Sequence, residues 1–294
     1  LNLDEGRIKI MDPIAFRLGP IAVYWYGIII VVAVLVAAYV ASLEAKRCGQ
    51  NPDHVWNALL LCLILGIIGA RLYHVFSSPR GGMLGWDYYR QHPIAILQIW
   101  RGGLGIYGAV AGGLLGVYIY ARLNKLSFLQ WADIGTPGLI LAQAIGRWGN
   151  FVNQELYGYP TNLPWGITID PPYRIPPYDD LTVYPADTRF HPTFLYESLW
   201  NLLGFILLMY VARRYSERLL DGDVLCLYAI WYPVGRIFVE ALRPDAWLIR
   251  GIPAAQIFAV IAIVASVAIM FYRHRQARLA AEPPLGEEEF AEED

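Results

Sequence analysis

The chain has 294 residues, of which 56% are hydrophobic and only 16% charged, with a formal net charge of −2 and a mean hydropathy of +0.39. A water-soluble protein carries about a quarter of its residues as charges, so the composition excludes an ordinary soluble domain. So small a net charge says little about partners, and no nucleic acid is expected among them.

Residues 1–19 form a polar N-terminal segment, too polar for the apolar core of a signal peptide. Seven apolar segments follow, at 20–43, 55–76, 102–122, 132–149, 193–212, 223–242 and 252–272, each approaching the roughly 20 residues that span a bilayer. The third is rich in glycine (Gly102, Gly103, Gly105, Gly108, Gly112, Gly113, Gly116), and small residues so spaced let helix backbones approach closely. The expected fold is an all-α integral membrane protein of seven transmembrane helices, a catalytic domain over 20–275. Basic clusters follow every odd segment: Lys46 and Arg47, Arg122 and Lys125, Arg213, Arg214 and Arg218, then Arg273, Arg275 and Arg278. Basic loops stay cytoplasmic, which puts the N-terminus outside and the C-terminus in the cytoplasm, despite arginines scattered in the longer outer loops (Arg80, Arg90, Arg101, Arg174, Arg189).

Two outer segments are long. Residues 77–101 hold Gly81-Gly82 and an amphipathic stretch through Ile94-Ala95-Ile96-Leu97, a surface arm suited to the membrane interface. Residues 150–192 are rich in proline and aromatics, which favour turns and extended pieces over helix; a small extracytoplasmic head is expected there. Residues 276–294 read as a disordered acidic tail. Cys48, Cys62 and Cys226 lack disulfide or metal spacing and are expected to be buried thiols. The histidines form no metal-ligand pattern, and no metal is expected.

The chemistry concentrates after the fourth segment, in Gly146-Arg147-Trp148-Gly149-Asn150-Phe151-Val152-Asn153-Gln154-Glu155-Leu156-Tyr157-Gly158. An arginine at the end of an apolar span is expensive and marks a partner, a cavity or an anionic ligand; the alternative is a side chain that snorkels to the headgroups. The sixth segment carries Tyr232, Arg236, Glu240 and Arg243 at i, i+4, i+8 and i+11, one helical stripe. Gln143, Arg147 and Asn150 form a second stripe. For Glu240 and Arg243 a purely structural ion pair is as good a reading as a functional one. Tyr26, Tyr107, His191, Tyr196 and Glu197 fall at the same outer depth, where an aromatic belt also accounts for Tyr24, Trp25 and Tyr26. Arg71 and His74 lie in the outer half too, with support and catalysis unseparated. Two or three guanidinium forks with an asparagine at headgroup depth suit a phospholipid phosphate.

These residues carry a resemblance. The run Gly146–Gly158 resembles the signature of the prolipoprotein diacylglyceryl transferases, bacterial enzymes that begin lipoprotein maturation. Trp100–Gly108, His191–Glu197, Tyr232–Glu240 with Arg243-Pro244-Asp245, and Trp25-Tyr26-Gly27 resemble further family motifs, in order, over about residues 12–275. The resemblance implies a transferase of the bacterial cytoplasmic (inner) membrane whose site faces the outer leaflet. Its reaction moves the diacylglyceryl group of phosphatidylglycerol to the thiol of the lipobox cysteine in a preprolipoprotein, releases glycerol 1-phosphate and uses no cofactor. It implies Arg147 and Arg236 as phosphate-binding catalytic residues, with Asn150, Asn153 and Glu155 positioning the headgroup. Gly158 would permit a turn that closes the headgroup site. Tyr26 is a family-important position, and Glu240 and Tyr232 are supporting residues on the stripe they share with Arg236. Some relatives carry histidine, a proposed general base, where this chain has Tyr107; a phenol titrating near 10 is a poor base, so Tyr107 is expected to orient substrate. The competing classes are a transporter with an outward-facing anion site, disfavoured because no polar path crosses the membrane and no paired repeats are visible, and another phospholipid-processing enzyme.

Overall fold

The computed structural model describes residues 12–19, 21–77, 85–99 and 102–281. In chain order these form β1 (Ile14–Leu18), β2 (Ile21–Tyr24), α1 (Trp25–Arg47), α2 (Asp53–Phe76), α3 (Trp86–Gln91), α4 (Ile106–Leu123), α5 (Phe128–Val152), β3 (Ile167–Thr168), β4 (Arg189–Phe190), α6 (Thr193–Arg214), α7 (Asp223–Glu240), β5 (Leu248–Ile249), β6 (Ile252–Pro253) and α8 (Ala254–Ala281). Each of the seven apolar segments contains one long helix. By length and composition four of the described helices are apolar enough to cross a membrane: Trp25–Arg47, Asp53–Phe76, Thr193–Arg214 and Ala254–Ala280. Leu60 and Ile64 of α2, Ile206 of α6 and Ile261 and Val264 of α8 are exposed, the surface that hydrocarbon would cover. Basic residues close α1, α4, α6 and α8 in their last turns, whereas Asp53 and Asp223 open α2 and α7, each sign matched to its end of the helix dipole.

The connections add three short two-stranded antiparallel pairs to the helices: β1 with β2, β3 with β4, and β5 with β6. The first helix begins at Trp25, five residues later than its apolar run suggests, because the preceding residues pair as a hairpin. The third begins at Ile106 because Gly102 and Gly103 take positive φ (84° and 78°), a left-handed conformation that helices exclude. The cysteines also depart from expectation: Cys48 is exposed, and Cys62 and Cys226 are half-buried. Cys48 lies in the polar turn after α1, beyond the apolar spans. Residues 1–11, Arg80, Gly81-Gly82, Trp100, Arg101 and the acidic end after Ala281 lie outside the described residues.

The chain divides into two compact units, Ala37–Gly138, and Leu1–Val36 with Leu139–Asp294. In the unit spanning 37–138, α2 and α4 pack through glycine. A Cβ at Gly108 would overlap the Gly69 backbone, one at Gly112 the Leu65 carbonyl, and one at Gly116 would stand 2.9 Å from Cys62 Cα. The stripe Gly108-Gly112-Gly116 thus lets two helices touch backbone to backbone. Arg71 is buried beside them. It donates to the carbonyls of Ala95 (2.6 Å), Ile96 (2.7 Å), Gly102 (2.7 Å) and Gly103 (2.8 Å), and its guanidinium lies over the Tyr89 ring. Arg71 thus ties down a short arm of α3 and a 3-10 turn, Pro93–Leu97, that leaves Ile94 and Leu97 exposed.

In the other unit α5 (from Leu139), α6, α7 and α8 surround the polar stripes. Trp200 and Trp231 stack at 4.4 Å, and each indole Nε1 donates to the other's backbone carbonyl (3.0 and 3.1 Å). Gly204 and Gly235, one turn on from each tryptophan, leave the room these rings occupy. A cap between α5 and α6 has its own core of Tyr157, Ile169, Tyr178 and Phe190. At its centre Arg174, read in sequence as an outer-loop charge, is buried and donates to the carbonyls of Ile169, Tyr184, Pro185 and Ala186 at 2.7–3.0 Å. That accounts for carbonyls a strand-poor loop would otherwise leave unpaired.

Candidate active site

Helix α5 delivers Gln143, Arg147 and Asn150 on one face, and α7 delivers Tyr228, Tyr232, Arg236 and Glu240 on another. Gln143 Nε2 donates to Tyr228 Oη (2.8 Å), and Arg147 Nη2 reaches Tyr232 Oη (3.4 Å). Between the two helices stands Glu197 of α6, buried with its side chain 6% exposed. Its Oε2 lies 2.5 Å from Arg147 Nη2, and its Oε1 accepts from Arg236 Nη1 at 3.0 Å. Arg236 Nη2 also pairs with Glu240 Oε2 one turn along α7. Arg243 Nη1 lies 3.9 Å from the same Glu240 oxygen, while its Nε and Nη2 hold Asp245 in a two-pronged pair (3.0 and 2.7 Å). Three arginines and three carboxylates therefore alternate along one chain of contacts. Charges this buried are tolerated because each has its counter-charge. Among the described residues, Nε and Nη1 of Arg147 make no hydrogen bond, its contacts to Tyr232 and Glu197 running through Nη2.

The loop after α5 supplies the remaining groups. Gln154 and Leu156 take positive φ (52° and 57°), a strained region for residues with a side chain. Both are pinned. Gln154 is buried, donates to Asp170 Oδ2 (2.9 Å) and accepts from the Asp170 amide (2.7 Å); the Leu156 carbonyl accepts from Thr193 Oγ1. The strain folds Glu155 back on the helix end, where its Oε1 accepts from Asn150 Nδ2 (2.9 Å) and Asn153 Nδ2 (3.3 Å). Buried Asn150 and exposed Glu155 thereby form one unit beside Arg147. Tyr26, in the first turn of α1, lays its ring against Gly149, where a Cβ would fall 2.9 Å from Tyr26 Cε2. Trp148 Nε1 donates to Ser198 Oγ (3.2 Å), which in turn donates to the Ala144 carbonyl (2.9 Å), fastening α5 to α6.

The structure brings together Arg147, Asn150, Asn153, Glu155, Tyr232, Arg236 and Glu240, with Tyr26 against the same helix. It corrects the reason for Gly158, whose φ is not positive: a Cβ there would come within 2.7 Å of His191 Cβ and 2.9 Å of the Leu242 carbonyl, so the site needs glycine for close approach. Tyr107 belongs to the other unit, where it is 69% exposed and its ring lies 5.6 Å from that of Tyr73. Glu197 was named in sequence only among the polar residues of one depth and not as a site residue; a single carboxylate gives no sign that it bridges two arginines from different helices.

In the cap, outside the helices, burial pushes the phenol of Tyr157 above its ordinary value although the Ile175 amide donates to its oxygen. Burial also raises Tyr178. Hydrogen bonds from Thr182 hold Asp180 below the usual carboxylate value.

Apolar helices enclosing a buried, alternating arginine–carboxylate chain beneath an ordered cap define a helical membrane protein with a built polar site. Residues 13–272 match the family model described as prolipoprotein diacylglyceryl transferase. The phosphatidylglycerol–prolipoprotein diacylglyceryl transferase of Chloroflexus aggregans is 46% identical over 272 residues, covering 87% of each chain. Those named alike from Streptococcus equi subsp. zooepidemicus (40% identical, 90% of this chain and 96% of the relative) and Lysinibacillus sphaericus (39%, 92% and 95%) are similar over nearly their whole length. The chain belongs to the prolipoprotein diacylglyceryl transferase family.

Proposed function

We propose that this protein transfers the diacylglyceryl group of phosphatidylglycerol to the thiol of a lipobox cysteine in a preprolipoprotein. The family, at this identity and coverage, supports the reaction, and the observation that carries it to these residues is the Arg147–Glu197–Arg236 bridge. In the reaction a thiolate sulfur attacks the glycerol carbon that bears the phosphate. A carbon–sulfur bond forms, the carbon–oxygen bond breaks, and its electron pair leaves on glycerol 1-phosphate, while the thiol proton is released. Charge therefore grows on a phosphate oxygen, where preorganised donors are worth most. Arg147 and Arg236 supply them. Glu197 and Glu240 hold the guanidiniums in place and leave Nε and Nη1 of Arg147 without a hydrogen bond. Asn150, Asn153 and Glu155 position the headgroup, Tyr232 and Tyr26 line it, and Gly158 lets the cap close over it. A free thiol titrates near 8.5, and the arginine field lowers that value for a sulfur beside the phosphate. Tyr107 orients substrate and is not the base. No metal or organic cofactor enters this scheme.

The site works in the outer leaflet of the bacterial cytoplasmic membrane, in a seven-span catalytic domain over 20–275, with the arm at 77–101 and the head at 150–192 outside. The N-terminal segment 1–19 is outside and the tail 276–294 cytoplasmic. The alternating basic helix ends support this orientation. A lipid reaches such a site sideways, between helices, without leaving its acyl environment. The test is a mass shift. Purified protein, phosphatidylglycerol and a one-cysteine lipobox peptide should give a diacylglyceryl adduct on sulfur with release of glycerol phosphate, both lost in Arg147→Ala. A folded protein that binds the lipid and yields no adduct would refute the reaction.

A further inference from the structure

Behind Glu197 lies a small cavity lined by Glu197, Trp200, Asn201, Tyr232, Arg236 and the Gly235 backbone, with about 10 Å³ of room, the space of a single water. Asn201 is 1% exposed, and its Nδ2 has no hydrogen-bond partner among the described residues. A buried amide left unpaired is costly, so such a group calls for a partner. Glu197 and Asn201 stand at i and i+4 on α6, on one face and a turn apart. Tyr232, Arg236 and Val239 also line it, and Glu197 Oε2, although paired with Arg147, is a second buried atom that makes no hydrogen bond among the described residues, so Asn201 and Glu197 offer a water the two partners it needs at the least. Its walls are stiff, because the Trp200 ring is stacked on Trp231 and bonded to it in both directions.

We infer that this cavity binds one ordered water, which accepts from Asn201 Nδ2 and donates to the Glu197 carboxylate, making Asn201 a positioning residue for the arginine pair. Glu197 must keep one oxygen on Arg147 and the other on Arg236, from two different helices. A third hydrogen bond from behind fixes the carboxylate plane and with it both guanidiniums. Asn201 touches no substrate; it acts through the water and Glu197. The catalytic half of this inference rests on the proposed transfer reaction, whereas the water does not.

Two measurements test it. A high-resolution structure of the full-length protein in lipid should show solvent density within hydrogen-bond distance of Asn201 Nδ2 and Glu197; an empty or side-chain-filled cavity overturns the proposal whatever the enzyme's activity. In the transfer assay, Asn201→Leu keeps the shape and removes the donor, and should lower kcat roughly 10- to 100-fold, the scale of small misplacements of reacting groups, with KM for phosphatidylglycerol and thermal stability little changed. Asn201→Ser, which restores a donor and leaves room for a second water, should recover most of kcat. Full kcat in Asn201→Leu overturns the positioning role, as does an equal loss in both variants when both are folded. A wild-type protein that makes no adduct would sink the transfer reaction instead, and the solvent density would still decide the water.

Discussion

At the scale of single residues, arginines that look alike in sequence meet different partners: carboxylates at Arg147 and Arg236, backbone carbonyls at Arg71 and Arg174. Arg147 and Arg236 were legible because a guanidinium within an apolar run is expensive and because helical spacing put polar partners on the same stripe. Arg71 and Arg174 were not, since only a folded loop shows that each saturates four backbone carbonyls. The difference is measurable. Arg174→Ala should leave the buried Ile169 carbonyl unpaired and three part-buried ones without their donor, destabilising the cap by about 1–3 kcal/mol, read as a lower thermal midpoint and earlier proteolysis between 157 and 190. Arg147→Lys should leave the thermal midpoint nearly unchanged, because the charge still meets Glu197. It should cut kcat by about 10²- to 10³-fold, as loss of a preorganised donor does elsewhere, because an ammonium cannot bridge as a planar fork. Glu197→Gln makes the complementary case. If Glu197 orients the arginines, kcat falls about 10²-fold with KM for phosphatidylglycerol no higher, since removing a negative charge does not weaken an anion's hold. A raised KM with unchanged kcat would place Glu197 in lipid binding alone.

At the scale of elements, the helices could be read from hydropathy, and so could some of their ends, such as the starts of α6 and α7 at Thr193 and Asp223, but the starts of α1 and α4 could not. Hydropathy reports burial or lipid, but the start of α1 is set by a hairpin and that of α4 by glycine φ angles, neither of which has an apolar signature. The proline-rich stretch was correctly read as extended, yet its core was hidden because four residues far apart in the chain build it. The tryptophan–glycine exchange between α6 and α7 was likewise hidden, since it joins two segments whose register no sequence pattern fixes. Gly235→Ala should drive a methyl into the Trp200 ring, costing about 1–3 kcal/mol as overpacking does. It should also lower transfer activity by moving Arg236, the next residue. A stable, fully active variant would show that the packing does not position the site. The cap has its own pH signature. Tyr157 and Tyr178 are held above their ordinary phenol value by burial. The neutral forms are thus favoured in the folded state, and this stability is fully present below about pH 10 and lost as pH rises through the folded-state values. Tyrosinate absorbance should show phenols that ionise late and together with alkaline unfolding, a step that Tyr178→Phe diminishes.

At the scale of the whole molecule, the question is which side of the membrane the site faces. The 23 residues of α1 rise about 35 Å at 1.5 Å each, enough to cross a hydrocarbon core of about 30 Å. Tyr26 stands at its start beside Gly149, and Lys46 and Arg47 close it. In the proposed orientation this end of α1 is the outer one and the first basic cluster the cytoplasmic one, and the basic ends of α4, α6 and α8 agree in sign with that of α1. The exposed thiol of Cys48 sits just past that basic end and makes a natural reporter, and exposed Asp180 in the cap makes a second as Asp180→Cys. A membrane-impermeant maleimide applied to intact cells stripped of their outer barrier should label the introduced cap cysteine and spare Cys48. Inverted vesicles should give the reverse. Labelling of Cys48 from outside would turn the molecule over and place the arginine chain at the inner leaflet, where an exported lipobox could not meet it. The lipid and the peptide thiol must arrive on one face, so the labelling pattern tests the reaction as well as the topology.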